Sequence, residues 1–214
     1  MQAQPSSLSF PPLFQVLVPQ QHLYRHLLLI VAGSLFVAVM AQIAIPLPFT
    51  PVPITGQTLG VLLVGSTLGW RLGFLALLTY LVEGACGLPF FSAGGSGLER
   101  IWGPTGGYLL SFPLTAALIG YLVERFGSDR NFLKMVGSMA LCSLVTFTLG
   151  ATWLGVWLAG LGKFAGVWDV LGKGVFPFIP GDIVKMSIAS SLLPITWRWV
   201  NRPTPQTTPQ DPED

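Results

Sequence analysis

Charged residues are scarce in this chain of 214 amino acids: Asp, Glu, Lys and Arg make up 9% of it, whereas 51% is hydrophobic. A typical soluble domain carries about 25% charged residues, mixed along its length. With so little charge and only two cysteines, the composition excludes a soluble domain, a disordered chain and a disulfide scaffold. It indicates a protein that crosses the membrane several times.

Residue types that carry enzymatic or metal chemistry are also few. The cysteines, Cys86 and Cys142, lie in apolar stretches, where packing explains them. The two histidines, His22 and His26, precede the first apolar stretch and have no acid or thiol nearby in the sequence, so we expect no metal site. No Walker A sequence is present. We therefore predict no enzyme activity, no cofactor and no ATP hydrolysis, and the net charge of +2 gives no reason to expect nucleic-acid binding.

Continuous apolar stretches predict six transmembrane helices. Within a bilayer, backbone amides must bond inside a helix or a closed barrel, and continuous hydrophobicity favours helices over barrel strands. The predicted fold class is therefore all-α: a six-helix bundle over residues 27–200, with a tail at 1–26 and a disordered, Pro-, Thr- and Gln-rich tail at 201–214. The predicted spans are residues 27–45, 54–69, 72–88, 105–123, 135–159 and 176–197.

The distribution of Lys and Arg predicts the orientation in the membrane. If the N-terminus is inside, the inner segments hold seven basic residues and the outer loops hold three. We therefore expect both termini in the cytoplasm. The inner set is Arg25, Arg71, Arg125, Arg130, Lys134, Arg198 and Arg202, and the outer set is Arg100, Lys163 and Lys173.

Two charged residues lie inside the sixth predicted span, where ionisable groups are costly and by default mark a substrate or ion path. Asp182 and Lys185 are three residues apart and share one helix face. Pro180 is suited to the start of this helix, which places Asp182 in the first turn and Lys185 one turn deeper. A structural ion pair that closes the bundle is the alternative interpretation.

Two outer connections are longer than packing requires, which is typical of functional or disordered loops. The first outer connection is residues 46–56 and the second is residues 89–104. The second leads into a glycine-rich turn, residues 103–108, at a helix N-terminus, where backbone amides suit a polar or anionic ligand. A plain loop is equally compatible with this composition. In the fifth span, Trp153 either faces lipid or the core, or forms a wall of an apolar pocket.

Four strings resemble the BioY family, the biotin-specific S components of energy-coupling factor transporters. They occur in order and are Pro-Val-Pro-Ile-Thr-Gly-Gln-Thr-Leu-Gly (51–60), Tyr-Leu-Val-Glu-Gly-Ala-Cys-Gly-Leu-Pro-Phe-Phe (80–91), Gly-Pro-Thr-Gly-Gly-Tyr-Leu (103–109) and Pro-Gly-Asp-Ile-Val-Lys (180–185). The resemblance implies a six-helix subunit of the cell membrane that captures biotin at the outer face, with the outer connections as lids. It also implies as partners the lipid bilayer, a transmembrane coupling subunit and two cytoplasmic ATPase subunits.

The chemistry of biotin then suggests roles for individual residues. Asp182 accepts hydrogen bonds from the ureido N–H groups, and Lys185 orients Asp182 or donates to the ureido oxygen. Thr105 and Tyr108 serve the remaining polar atoms. Arg100 pairs with the biotin carboxylate, and Trp153 packs against its apolar part.

The resemblance also implies a docking face for the coupling subunit on the first helix, where small side chains allow close backbone approach. The best match is imperfect and consists of Ser34, Ala38 and Ala41. A self-contained carrier, with Asp182 as a proton site and no ATPase, is the alternative function. An intramembrane enzyme lacks a catalytic set of residues.

Overall fold

A computed structural model describes residues 10–17 and 22–200 of the chain. The predicted disordered tail at 201–214 lies outside the described residues, as do residues 1–9 and 18–21 of the predicted N-terminal tail. The helices are α1 (Leu13–Leu17), α2 (Leu23–Gln42), α3 (Gln57–Ala85), α4 (Leu98–Trp102), α5 (Gly106–Phe126), α6 (Phe132–Gly160), α7 (Val167–Gly174) and α8 (Ile179–Val200).

Extended structure is limited, within the described residues, to one short hairpin and an isolated bridge. β1 (Ala44–Ile45) pairs antiparallel with β2 (Ile54–Thr55), with Ala44 opposite Thr55 and Ile45 opposite Ile54. This hairpin folds the first outer connection back onto the start of α3. The all-α prediction is confirmed, because helices form almost all of the regular structure.

The helix α3 is bent back on itself at Gly69, whose φ of 75° and ψ of 178° are not helical. A φ in this range strains any residue with a β-carbon. The two arms pack antiparallel through small residues: a β-carbon added to Gly73 would lie 3.0 Å from the α-carbon of Gly65. The second and third predicted spans are therefore the two arms of this hairpin.

Long apolar helices give the fold its membrane character. Five helical segments among the described residues are long and apolar enough to cross a membrane: α2, α3, α5, α6 and the segment Val167–Val200, which contains α7 and α8. The sequence prediction counted six spans because it treated the two arms of α3 separately.

The α3 hairpin lies at the centre of the bundle, between α2 and α5. A β-carbon on Gly65 would lie 2.5 Å from the carbonyl oxygen of Ala116 in α5, so these helices touch through their backbones. Leu77 and Tyr80 on the second arm are fully buried. Within a bilayer such burial stabilises through close van der Waals packing and interhelical hydrogen bonds.

The two ends of the bundle differ in charge. The end that the sequence analysis predicts to face the cytoplasm, here called the inner end, is closed by residues 10–17, where the Phe10 N–H donates to the Glu124 carbonyl at 2.7 Å. The other, the outer end, carries the two outer connections and α7. Of the basic residues in the described part, those at the inner end are Arg25, Arg71, Arg125, Arg130, Lys134 and Arg198, and those at the outer end are Arg100, Lys163 and Lys173.

Candidate functional site

A cavity lies at the outer end, between α3, α5, α6 and α8 and beneath the two outer connections. The cavity and its open mouth together enclose about 560 Å³ of space between the atoms. The centre of a water molecule fits into only about 50 Å³ of that space. The cavity is therefore narrow. It is lined by Val52, Pro53, Thr55, Gln57, Thr58, Ser92, Thr105, Tyr108, Leu109, Phe112, Phe147, Phe178, Asp182 and Lys185.

The carboxylate of Asp182 is the acidic group of this cavity. Helix α8 begins at Ile179, one residue before Pro180, so Asp182 lies in the first turn as predicted. The residue is only 4% exposed. Ser143 of α6 lies beside it, and both residues line a small pocket next to the cavity.

Lys185 lies one turn further along α8 and lines the same cavity. Its Nζ donates to the Thr58 hydroxyl of α3 at 2.8 Å. In the part of the chain that the structure describes, the one salt bridge joins Lys173 to Asp169 at 2.7 Å, so Lys185 and Asp182 form no direct ion pair. The two side chains are therefore not in direct contact, although their charges are near enough to attract each other, and the alternative of a structural pair stays open.

The phenol of Tyr108 forms part of an aromatic wall. Its hydroxyl donates to the Gly174 carbonyl at 2.5 Å, which ties α5 to the end of α7. The ring of Phe178 lies edge-on to Tyr108 with centroids 6.3 Å apart and stacks on Phe147 at 6.4 Å. Thr105 lines the cavity just before α5, and its hydroxyl donates to the Arg100 carbonyl at 3.3 Å.

Two of the predicted site residues lie outside the cavity. Arg100 is exposed on α4, and its guanidinium lies beside Gly95. Trp153 donates from its Nε1 to the Gly103 carbonyl at 2.9 Å and packs against Gly107. Trp153 thus supports the glycine-rich turn from behind, and neither Trp153 nor Arg100 lines the cavity.

Comparison with known proteins identifies the family. The model of the BioY family matches residues 12–202 of the chain. The chain belongs to the BioY family. This match covers the whole bundle, including every residue that lines the cavity.

Individual BioY proteins are similar over most of their length. The chain is 41% identical over 130 residues to the probable biotin transporter BioY of Methanothermobacter thermautotrophicus, covering 60% of this chain and 83% of that relative. It is 36% identical over 173 residues to the biotin transporter BioY of Rhizobium etli, covering 76% and 89%. It is 44% identical over 165 residues to the biotin transporter BioY2 of Lactococcus lactis, covering 74% and 82%.

The fold matches that of a solved structure. The crystal structure of the S-component for biotin from an ECF-type ABC transporter superimposes with a TM-score of 0.72, covering 82% of this chain and 92% of the other. The sequence identity in this comparison is 23%, so this likeness shows the fold alone. It supports the membrane architecture described above.

Several cavity residues of this BioY protein were not singled out from the sequence. Gln57 and Thr58 belong to the string 51–60 that carries the resemblance, and they are polar residues at the start of an apolar span. A polar pair at the start of an apolar span is a sequence pattern that could have identified these two residues. Ser143 and Phe147 come from the middle of α6, and only the packing of α6 against α8 brings them to Asp182.

The predicted docking residues on the first helix are inside this BioY bundle. Ser34 and Ala41 are fully buried and Ala38 nearly so, all facing α3, and the Ser34 hydroxyl hydrogen-bonds to the Glu83 carboxylate. A partner cannot reach these side chains in this conformation. In the isolated chain, small residues at this spacing serve the packing of α2 against α3, and docking of the coupling subunit at these three positions stays a prediction.

Proposed function

We propose that this chain binds biotin in the outer cavity and acts as the substrate-binding S component of an energy-coupling factor transporter. The observation that carries the proposal is the pair Asp182 and Lys185, which share the cavity without pairing with each other. The Asp182 carboxylate is buried, and a buried charge needs hydrogen-bond partners, which a ligand with N–H donors supplies. The Lys185 ammonium group is bonded to Thr58 and has further hydrogens to donate to a ligand acceptor. The biotin transporters among the BioY relatives support biotin as that ligand.

The groups around the cavity match the chemistry of biotin. A ureido ring presents two N–H donors and one carbonyl, which meet the Asp182 carboxylate and the Lys185 ammonium group. The apolar bicycle and side chain fit against Phe147 and Phe178. The biotin carboxylate then points to the mouth, where Thr105 lies and where Arg100 is the basic residue of the second outer connection.

The outer connections act as lids in this proposal. Val52, Pro53 and Thr55 of the first outer connection and Ser92 of the second cover the cavity. The space that water reaches is about 50 Å³, well below the ~300–1,000 Å³ of typical ligand pockets. Biotin therefore enters only after the connections have moved apart, and they close again around it.

Uptake in this proposal is powered by other subunits. The sequence holds no Walker A motif, so ATP hydrolysis falls to two cytoplasmic ATPases joined through a transmembrane coupling subunit. In support of this, the solved S-component with the same fold comes from an ECF-type ABC transporter. The protein sits in the plasma membrane with both termini in the cytoplasm, an orientation that the basic inner end favours.

The decisive experiment is ligand binding to the purified chain in detergent. We expect biotin to co-purify, as identified by mass spectrometry, and to rebind in isothermal titration calorimetry after removal. Absence of biotin binding by folded protein would overturn the proposal. If uptake into cells proceeds without the coupling subunit and ATPases and depends on the proton gradient, the chain is instead a self-contained carrier with Asp182 as its proton site.

A further inference from the structure

A line of hydrogen bonds connects the two outer connections through the interior of α3. The Thr55 hydroxyl, in the first outer connection, donates to the Gln57 side-chain oxygen at 3.0 Å. The Gln57 side-chain nitrogen donates to the Tyr80 hydroxyl at 2.6 Å. The Tyr80 hydroxyl donates to the carbonyl of Phe90, in the second outer connection, at 3.0 Å.

The direction of these bonds is fixed by Tyr80. A phenol has one hydrogen, and the Phe90 carbonyl can only accept, so the Tyr80 oxygen must accept from Gln57. The Gln57 amide is therefore oriented with its nitrogen to Tyr80 and its oxygen to Thr55. Hydrogen bonds aligned in one direction polarise and strengthen each other. Loss of the bond at one connection therefore weakens the bond at the other connection.

Tyr80 itself does not touch the cavity. It is fully buried and absent from the cavity wall, whereas Gln57 lines it. The ring of Tyr80 lies edge-on to Phe91 with centroids 5.7 Å apart, and Phe91 is also packed against Gly84. Tyr80 thus holds the second outer connection to the α3 hairpin in two ways: through the backbone carbonyl of Phe90 and through the side chain of Phe91.

We propose that Tyr80 is a positioning residue that closes both outer connections over the cavity as one unit. The Thr55–Gln57–Tyr80–Phe90 line is the coupling element, and its rupture releases both connections together. The role of this closure in biotin capture rests on the proposed function. The movement of the connections, however, is measurable without biotin.

The first test measures opening in the ligand-free protein. Val52→Cys and Ser92→Cys, one in each connection, report access through their rates of labelling by a small thiol reagent, in a Cys86→Ser background; Cys142 is buried and stays. Since Tyr80→Phe leaves buried groups unpaired, we expect both rates to rise about tenfold or more. The control Tyr121→Phe, at a half-exposed phenol of α5, changes neither rate.

A second variant tests the coupling from the other side and does not require Tyr80→Phe to fold. Thr55→Val breaks the line within the first outer connection and frees the Gln57 amide to turn. We expect it to speed labelling at Ser92→Cys, although Thr55 belongs to the other connection. Unchanged labelling at this position, or faster labelling of only one connection in Tyr80→Phe, would show independent lids and overturn the proposal.

Biotin kinetics separate positioning from direct binding. The same bonds close the empty and the loaded cavity, so Tyr80→Phe should speed both association and dissociation by about tenfold and leave the dissociation constant within about threefold. Loss of a ligand contact would raise the dissociation rate alone, and that result would contradict the positioning role. If wild-type protein binds no biotin, the proposed function fails while the labelling experiment still decides the coupling.

Discussion

Two buried carboxylates, one at each end of the bundle, have different surroundings. At the inner end, Asp129 is buried and accepts from the indole N–H of Trp197, and the Arg130 guanidinium lies 4.3 Å from the centre of the same ring. At the outer end, Asp182 is buried to a similar degree but faces a cavity. Burial of a carboxylate therefore does not by itself distinguish a candidate binding site. A cavity next to the buried carboxylate does.

The inner end shows what a closed arrangement looks like. The Glu124 carboxylate accepts from the Trp70 N–H at 3.0 Å, where the α3 hairpin turns, and Phe10 bonds to the Glu124 backbone. Among the residues that the structure describes, one buried side-chain atom lacks a partner, the Oδ1 of Asp129. This end therefore holds α1, α3, α5 and α8 together, and Asp129 lines neither the outer cavity nor the open groove beside Phe126 and Lys134.

The largest effect is expected at Asp182. Asp182→Asn keeps the volume but replaces a charged acceptor by an amide, which loses a charge-assisted bond worth about 1.5–3 kcal/mol and presents a mispaired donor that costs about 1–3 kcal/mol more. Biotin affinity should fall by about a hundredfold or more, as measured by equilibrium binding to the isolated chain. Asp169→Asn, whose carboxylate pairs with Lys173 outside the cavity, is the matched control and should bind as wild type. Wild-type affinity in folded Asp182→Asn would place the site elsewhere.

The next largest effect concerns stability rather than binding. Ala38→Trp inserts a large ring between α2 and α3, and overpacking of this kind costs about 1–3 kcal/mol or more. We expect a lower melting temperature and poor yield before any effect on complex assembly. Leu35→Trp, at an exposed position of the same helix, should leave stability nearly unchanged. If Ala38→Trp is as stable as wild type and only blocks assembly with the coupling subunit, the docking face predicted from the sequence is supported.

A smaller effect is expected at Asp129, in the inner connection between α5 and α6. Burial raises the pKa of this carboxyl above its ordinary value of 3.8, against the opposing effects of the Trp197 hydrogen bond and the Arg130 charge. A raised pKa means that the folded state binds the proton more tightly than the unfolded state, so this group's contribution to stability is greatest at low pH and is lost as the pH rises through the folded pKa.

Asp129→Asn should remove this contribution to the pH dependence. As the pH rises above about 4, we expect the wild type to lose more stability than the variant, as followed by thermal unfolding in detergent. Identical slopes for the wild type and Asp129→Asn would show that this carboxyl keeps its ordinary pKa.

The sequence predicts the parts of the fold that depend on hydrophobic runs and the parts of the site that are costly in a membrane. Asp182 and Lys185 were found because charge inside an apolar span is unusual, and Thr105 and Tyr108 because a glycine-rich turn precedes a helix. Their neighbours, Ser143 and Thr58, are ordinary polar residues on other helices. Nothing in their local sequence specifies which helix they face.

Two questions that the sequence leaves open have a common physical origin. The pattern of small residues at Ser34, Ala38 and Ala41 indicates close helix contact but not whether the neighbour belongs to the same chain. Likewise, three-residue spacing places Asp182 and Lys185 on one face but does not decide between an ion pair and the observed bond to Thr58. Each answer depends on which neighbouring helix a side chain faces. The spacing of residues within one helix does not carry that information.

The smallest effect is expected at Arg100, which extends the comparison of the two ends to the rim of the cavity. Its side chain is exposed and lies outside the cavity wall, so water and salt screen its attraction for the biotin carboxylate. Arg100→Ala should weaken binding by about tenfold or less, and the difference from wild type should shrink as salt is added in calorimetric titrations. Lys163→Ala removes an exposed outer charge elsewhere and should have no such effect. A loss of about a hundredfold that persists at high salt would mean that Arg100 turns inward on binding and becomes as buried as Asp182, because only a desolvated pair resists screening.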